Sequence, residues 1–548
     1  MKRILLAILV TGLGINSLKC FTDPYPKNPN IDALNYRFEF QLSDETDEIQ
    51  GKTTVDVRFK KKGIESLRLD LINASDALDG KGMNVTAVTS NGKAVSYSHE
   101  NDAVIISLPT ASNENQRSQF TITYSGIPAS GLKIAPNKHG DRTFFSDNWP
   151  NKGRNWLPTI DHPYDKATCE FVVTAPAHYQ VISNGLKMEE TDLGTGMRLT
   201  HWKQSVPISP WLYVLGLARF AVQYVDDFEG KAIQTWVYPQ DRDAGFYDFA
   251  EPTKQVLEFY SDYVGPFSYE KLANIQSNSV GGGMEAASAI LYGDRSVTGD
   301  RSIRWRNVVI HEIAHQWFGN AVTEYDWDDV WLSEGFATYF TLLFIEHQYG
   351  RDEFLAGLQS SKTRVDNFQM KNMDYTIVHD NLQDMGKVTT GQTYQKGSWT
   401  LHMLRGVVGT DVFWQGIQNY YARYQDLNAT TADFQREMEE VSGMDLSTFF
   451  KQWLNQGGML KYEGNWSYNS RKQEVTIKLD QVQSGGYLFE MPIQVGIKYP
   501  GEDGMTIELL QVNQKSNTFT IKVKSEPETL VLDPNTWVLM DADFKKKK

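Results

Sequence analysis

Two histidines and two glutamates in one short stretch constrain this chain more than any other feature. His311 and His315 are four residues apart, Glu312 follows the first, and Glu334 lies nineteen residues after the second. Because positions i and i+4 share one helix face, both imidazoles can point at one metal ion. Two imidazoles and a carboxylate suit tetrahedral zinc and leave the fourth position open for the water that reacts. The spacing predicts one Zn²⁺ per chain on His311, His315 and Glu334, with Glu312 as the base.

The residues around this motif predict that the site is buried. Apolar residues 308–310 lead into it, and Trp317-Phe318 follow it before Gly319, as expected for a buried helix that ends near the glycine. We predict helices over 301–318 and 331–349, the second with Glu334 in its first turn. The alternative, a pair of helix histidines beside a surface glutamate, does not account for the apolar flanks.

The hydrophobic pattern divides the chain into three domains behind a leader. A length of 548 residues with 41% apolar content suits several globular units. Short alternating runs separated by turns predict a large β-sandwich or saddle-shaped sheet over 21–225. Helical patterns dominate 226–456 after a few strands, and short strands over 457–543 predict a second, small β-sandwich. The predicted fold class is multidomain α+β.

The N-terminus has the pattern of an export signal. Lys2 and Arg3 precede an apolar run over 4–15, which is too short to span a bilayer. We predict a signal peptide over 1–20 and a periplasmic, secreted or envelope-associated protein. Lipid attachment at Cys20 is the alternative to simple cleavage.

Charge and cysteine content exclude several other classes of protein. The net charge is −14, and the Lys-rich tail over 544–548, with its basic run at 545–548, is interpreted as solvated. These features disfavour nucleic acid or an anionic membrane as the main partner, and no other segment is apolar enough to cross a bilayer. Cys20 and Cys169 are the only cysteines, so disulfides are not expected to stabilise the fold.

Two other stretches each allow two interpretations. Residues 147–166 are long, aromatic and rich in Pro and Asn, which fits either a structural corner or a wall of the active-site cleft. The glycines at 281–283 fit a flexible corner or backbone that approaches a bound peptide closely.

Several motifs carry a resemblance to a known family: HEIAHQWFGN (311–320), WLSEGFATY (331–339), GGMEA (282–286), TYQKG (393–397), Asp161-x-Pro163-x-Asp165-Lys166 and Ser183-Asn184-Gly185. With these motifs the chain resembles the aminopeptidase N family of gluzincins, which also includes the leukotriene hydrolases. The resemblance covers most of the chain and implies a saddle-like β domain, a thermolysin-like catalytic domain and a β-sandwich domain.

The resemblance implies roles for residues that the metal motif does not include. Tyr394 would donate a hydrogen bond to the oxyanion of the tetrahedral intermediate. Glu285 would bind the substrate's α-ammonium group. Gly282, Gly283 and Met284 would form the backbone that pairs with the peptide, in the manner of an added β-strand. The expected partners are therefore peptides with a free N-terminus.

Two positions depart from the family pattern. The family's asparagine after the ammonium-binding glutamate is Ala286, and the position of its second amine contact, five residues before Arg154, is Trp149. Either Asp147 takes over that contact, or the amine site is weaker.

These observations favour a secreted zinc aminopeptidase over three alternatives. An endopeptidase would not need Glu285. Epoxide hydrolysis on the same zinc site has no residue that singles it out. A non-catalytic scaffold would be expected to have lost some of His311, Glu312, His315 and Glu334.

Overall fold

The computed structural model describes residues 23–194, 196–378, 382 and 384–547. The predicted signal peptide over 1–20, with Cys20, lies outside these residues. Within the described ranges, no helix combines the length and the apolar character needed to cross a bilayer.

The first part of the chain consists of strands. Its largest sheet has eight strands in the order β13-β14-β11-β1-β2-β8-β4-β5, beside a four-stranded sheet (β12-β15-β10-β9) and a three-stranded one (β3-β7-β6). The strands are β1 (Ile31–Gln41), β2 (Ile49–Phe59), β3 (Ser66–Asp70), β4 (Gly82–Ser90), β5 (Lys93–Ala94), β6 (Tyr97–Glu100), β7 (Ala103–Ser107), β8 (Gln116–Ile127), β9 (Leu132–Pro136), β10 (Arg142–Ser146), β11 (Ala167–Pro176), β12 (Gln180–Ser183), β13 (Leu186–Asp192), β14 (Met197–Ile208) and β15 (Leu215–Ala218).

Alternation of apolar and polar residues determines how the large sheet packs. In β2 every second residue is buried, from Ile49 to Phe59, and the residues between them are partly or fully exposed. One face therefore packs on a core while the other meets solvent, as is usual for antiparallel sheets. The saddle-like β domain expected here is confirmed.

The middle part of the chain begins with a mixed sheet and continues as helices. The sheet order is β16-β17-β18-β20-β19, and β18 and β20 are buried along their whole length, as befits central parallel strands. The elements are β16 (Ala221–Phe228), β17 (Lys231–Val237), α1 (Arg242–Ala250), α2 (Thr253–Tyr263), β18 (Lys271–Ser277), β19 (Gly283–Met284), β20 (Ala289–Gly293), α3 (Ile303–Ala314), β21 (Thr323–Glu324), α4 (Trp331–Tyr349), α5 (Arg351–Gln369), α6 (Gly397–Val408), α7 (Thr410–Tyr424), β22 (Asn428–Ala429), α8 (Thr431–Ser442) and α9 (Ser447–Leu454).

The helices differ from the sequence-based prediction in a few places. The first zinc-bearing helix ends at Ala314 rather than near Gly319, so His315 lies at its C-cap. Helix α5 was not predicted, because only five of its 19 residues are buried and its apolar periodicity is weak.

The last part forms two small sheets that share one core, in the orders β27-β24-β23-β29 and β26-β25-β28. The expected small β-sandwich is therefore confirmed, while the domain boundaries at 225 and 456 stay predictions. The strands are β23 (Leu460–Asn469), β24 (Glu474–Gln481), β25 (Met491–Lys498), β26 (Met505–Val512), β27 (Ser516–Lys522), β28 (Thr529–Leu532) and β29 (Met540–Lys546).

Candidate metal centre and substrate cleft

Helices α3 and α4 bring the three predicted zinc ligands together. The Nε2 atoms of His311 and His315 are 3.1 Å apart. Glu334 Oε2 lies 3.4 Å from the first of these nitrogens and 3.3 Å from the second. The sequence separation of nineteen residues is thus closed by packing the first turn of α4 against the end of α3.

This geometry fits a zinc ion. Tetrahedral ligands at Zn–N and Zn–O distances of about 2.0–2.1 Å are separated from one another by about 3.3 Å, which is the spacing found here. Glu334 Oε2 is buried and has no hydrogen-bond partner within the described part of the chain. Two further buried carboxylates, Glu285 and Glu312, adjoin the His315 imidazole, so the cluster has an excess of negative charge that a divalent cation would balance.

The orientation of His315 is set by groups outside the ligand set. Its Nδ1 lies 3.1 Å from the Phe318 carbonyl oxygen and 3.1 Å from Ser333 Oγ, which leaves Nε2 facing the other ligands. Gly319 has a φ of +110°, and a Cβ there would come within 2.2 Å of Ser333 Oγ. The glycine after the motif therefore allows a backbone conformation with positive φ and leaves room for this support.

Glu312 lies against the glycine-rich strand edge. Its side chain is buried, and Oε2 has no hydrogen-bond partner among the described residues. A Cβ built on Gly283 would lie 2.2 Å from Glu312 Oε1, far inside van der Waals contact. Gly283 is thus required in order that the carboxylate of Glu312 can occupy its position.

We expect Gly283→Ala to lower kcat at least about tenfold, because displacing a catalytic group by about 1 Å can cost up to 10²-fold. The matched control is Gly281→Ala, since no atom lies within 4 Å of a Cβ at that position. Steady-state kinetics with metal content per chain would check this. Equal kcat values for the two variants would show that the crowding at Gly283 is relieved without moving Glu312.

Glu285 lies next to the ligands at the end of β19. Its Oε1 is 3.9 Å from His315 Nε2 and has no hydrogen-bond partner in the described ranges. The side chains of Gln316 and Asn320 donate to its backbone carbonyl at 3.0 and 2.6 Å. The sequence did not predict these two hydrogen bonds, although Gln316 and Asn320 both follow His315 in the same motif.

Burial and mutual repulsion shape the electrostatics of the cluster. Burial raises the pKa of Glu285 to about 7 against the opposing effect of His315. Burial and the nearby Glu285 together raise the pKa of Glu312 well above its usual range. Burial also opposes ionisation of Glu334, but the two imidazoles hold its pKa at about 2. Glu334 is therefore the carboxylate best suited to act as an anionic ligand.

Tyr394 reaches the cluster from a π-helical turn over Gln392–Lys396. Its hydroxyl donates to Glu334 Oε1 at 2.7 Å, and its ring stacks beside His311 at 6.2 Å between centroids. Single π-turns occur often at functional sites because they shift one side chain out of helical register. The turn continues directly into α6, so Tyr394 is placed by a rigid element.

The stretch over 147–166 is both a wall of the cleft and a structural corner. Asp147 and Trp149 line the cleft of about 460 Å³ that also contains the glycine strand and the metal cluster. The Asp147 carboxylate accepts from Lys152 Nζ at 3.0 Å. Further along, Arg154 Nε donates to buried Asp161 at 2.9 Å, which is a structural corner.

Residues of the first domain also hold the zinc-bearing segment from outside. Half-buried Lys166 donates from Nζ to the carbonyls of Asn320 and Ala321 at 3.0 and 2.8 Å. Asn184 donates to the Ala287 carbonyl at 2.7 Å, just beyond Glu285. The sequence motifs that include Lys166 and Asn184 thus act at the contact between the two domains.

Comparisons with known proteins agree with this arrangement. Residues 32–212 match the peptidase M1 N-terminal domain, and residues 249–453 match the peptidase family M1 domain. A crystal structure of an M1 zinc metallopeptidase from Deinococcus radiodurans superposes with a TM-score of 0.67 at 23% identity, over 79% of this chain and 96% of that one. This likeness shows that the fold is shared.

Curated relatives include several aminopeptidases. Human glutamyl aminopeptidase is 30% identical over 327 residues, which are 57% of this chain and 34% of that protein. The mouse glutamyl aminopeptidase is 26% identical over 366 residues, 64% of this chain and 39% of its own length. Probable aminopeptidase 2 of Sulfurisphaera tokodaii is 28% identical over 413 residues, 72% of this chain and 52% of its own. The chain thus spans between a third and about half of the length of these relatives.

Both domain models, the shared fold and the cluster of two histidines and a glutamate agree with the resemblance found in the sequence. The chain belongs to peptidase family M1.

Proposed function

We propose that the chain is a zinc-dependent aminopeptidase that removes N-terminal residues from peptides. The observation that carries this proposal is the position of Glu285, whose buried Oε1 lies 3.9 Å from a ligand nitrogen and has no hydrogen-bond partner within the described ranges. A fixed anion so close to the reacting centre suits the α-ammonium group of the first residue. It would make the enzyme cut one residue from the N-terminus.

Each step of the proposed reaction uses a residue of the cluster. The peptide pairs with the edge strand β19 and places its ammonium group on Glu285. When bound, zinc supplies Lewis acidity to the reaction. Glu312 takes a proton from the attacking water and passes it to the amine that leaves, while the Tyr394 hydroxyl donates to the developing oxyanion.

Hydrolysis of aminoacyl arylamides, with and without N-acetylation, tests this function directly. We expect cleavage of the free-amine series alone, loss of cleavage with a chelator, and recovery when zinc is added. Protein with one zinc per chain that cleaves neither series would overturn the proposal.

A variant at Glu285 tests how the first residue is recognised. We expect Glu285→Gln to lower kcat/KM for free-amine substrates about 10–10²-fold, since a buried charge-assisted hydrogen bond to the ammonium group is lost. The residual rate on N-acetylated substrates should change little. Equal losses on both series would remove Glu285 from the role of amine contact.

Two other hydrolases and one inactive protein are the alternatives to this function. An endopeptidase or an epoxide hydrolase could use the same zinc site, but an endopeptidase would not need the carboxylate of Glu285, and no residue singles out epoxide hydrolysis. A non-catalytic scaffold does not require the geometry of His311, His315 and Glu334. Cleavage of internal peptide bonds in N-acetylated peptides would favour the endopeptidase.

We infer that the protein is exported. Support comes from Lys2 and Arg3 before the apolar run over 4–15. Cell fractionation and the mass of the mature N-terminus test this. A protein that keeps residue 1 and stays in the cytoplasm would contradict export, while an added lipid mass at Cys20 would select the anchored form.

A further inference from the structure

A second cavity, of about 580 Å³, adjoins the metal ligand His311 but is not lined by Glu285. It shares His311, Val308 and Tyr394 with the substrate cleft but includes neither Glu285 nor the glycine strand. Its walls come from α3, α4, α5 and the π-helical turn. A peptide whose N-terminus is held at Glu285 therefore sends its remaining residues past His311 into this space.

The two cavities carry opposite charge. The substrate cleft is lined by the carboxylates Asp147, Glu285, Glu312 and Glu334, and among the described residues no lysine or arginine lines it. The second cavity is lined by two arginines, and no aspartate or glutamate of the described chain lines it. The polarity matches a peptide with a cationic N-terminus and an anionic group further along.

The two arginines, Arg304 on α3 and Arg364 on α5, are free to bind such a group. Neither forms an ion pair or a side-chain hydrogen bond with any described residue. The guanidinium of Arg304 lies over the Trp305 ring at 5.1 Å, which supports it without occupying its N–H donors. By contrast, neighbouring Arg306 already pairs with Glu353 at 3.1 Å.

Helix geometry limits how far along the peptide this group lies. Arg304 precedes His311 by seven residues on the same helix, which corresponds to about 10 Å along its axis. An extended peptide covers about 10 Å in three residues. The anionic group is therefore expected two to three residues beyond the bond that is cut.

We propose that Arg304 and Arg364 form a carboxylate-binding subsite for the leaving part of the peptide, which rests on the proposed aminopeptidase function. The carboxylate has two possible sources: the C-terminus of a tri- or tetrapeptide, or an acidic side chain in a longer peptide. Guanidinium groups bind either carboxylate through two parallel N–H donors.

The experiment compares peptides that differ only in that carboxylate. One arm uses trialanine and tetraalanine with free or amidated C-termini. The other uses amidated alanine hexapeptides with Glu or Gln at the third or fourth position. We expect the carboxylate members to have a kcat/KM about three- to tenfold higher at low salt, and this preference to shrink near 0.5 M salt because both arginines are exposed.

Variants then assign the preference to the two arginines. Arg304→Gln and Arg364→Gln should each lower kcat/KM about two- to fivefold for carboxylate substrates and leave the amidated neutral ones unchanged. Arg471→Gln is the matched control, because it removes the same charge from an exposed turn of the C-terminal sheets. Loss in the first arm alone identifies the C-terminus as the source, and loss in the second alone identifies the side chain.

Calorimetry of the same peptides binding to the Glu312→Gln protein measures the preference for the carboxylate without turnover. If no peptide is hydrolysed by the unmodified protein, the proposed function fails and this binding series still decides the subsite. Equal affinity for carboxylate and amide peptides, or equal losses for all substrates in the arginine variants, would overturn the subsite.

Discussion

Replacing Glu312 by glutamine is expected to lower kcat about 10³–10⁴-fold, at the upper end of what a general base contributes, while the protein keeps one zinc per chain. Glutamine has the shape of glutamate, so the tight contact with Gly283 is preserved. The three ligand atoms belong to other residues, so metal binding should not change. What is lost is the acceptor that takes a proton from the attacking water.

The measurement combines kcat, zinc per chain and Tm. Glu324→Gln is the matched control: Glu324 is also a fully buried carboxylate, its two oxygens have no hydrogen-bond partner in the described chain, and it does not line the cleft. A Glu312→Gln protein with one zinc and substantial turnover would remove Glu312 from the role of base. Loss of zinc in this variant would instead mean that the side chain helps to hold the metal.

Replacing Tyr394 by phenylalanine is expected to lower kcat about 10²–10³-fold with little change in KM, as for the loss of one oxyanion donor. The hydroxyl lies 2.7 Å from the ligand Glu334 and lines the substrate cleft. Its interaction should strengthen only as negative charge develops on the substrate, so the loss appears in kcat rather than in binding.

Zinc content and Tm again distinguish a loss of catalysis from a loss of metal binding or folding. Tyr420→Phe is the control, because its hydroxyl is buried without a hydrogen-bond partner among the described residues and its ring packs on Phe336, away from the cleft. An unchanged kcat for Tyr394→Phe would refute its role as an oxyanion donor. A variant that binds less zinc would show that the hydroxyl chiefly holds Glu334 in place.

The metal cluster could be predicted from the sequence because helix periodicity alone places His311 and His315 on one face. To predict Glu334 as the third ligand, it was also necessary to infer that the two helices pack together. The apolar residues around both helices made that packing predictable. The residue at which the first helix ends was harder to predict from the sequence. His315 is the C-cap residue, and Gly319, four residues later, has a positive φ and leaves room for Ser333 to approach.

The start of α8 shows how long-range contacts decide between two similar residues. Thr430 is the N-cap and exchanges both hydrogen bonds of a capping box with Asp433. Thr431 instead donates to Asp329 at 2.5 Å and accepts from Trp331 at 2.7 Å. Adjacent threonines offer the same local signal, and only the long-range contacts to the α4 entrance distinguish them.

The sequence by itself determined the order of β, mostly helical and β domains and the identity of the metal ligands, since both follow from short-range periodicity. Only the tertiary structure decided which groups face each other across the cleft. Glu285 reaches His315 because Gln316 and Asn320 hold its backbone, and Arg304 and Arg364 line one cavity because α3 and α5 both pack against α4. These contacts join residues distant in the chain through packing, and no local pattern in the sequence encodes that information.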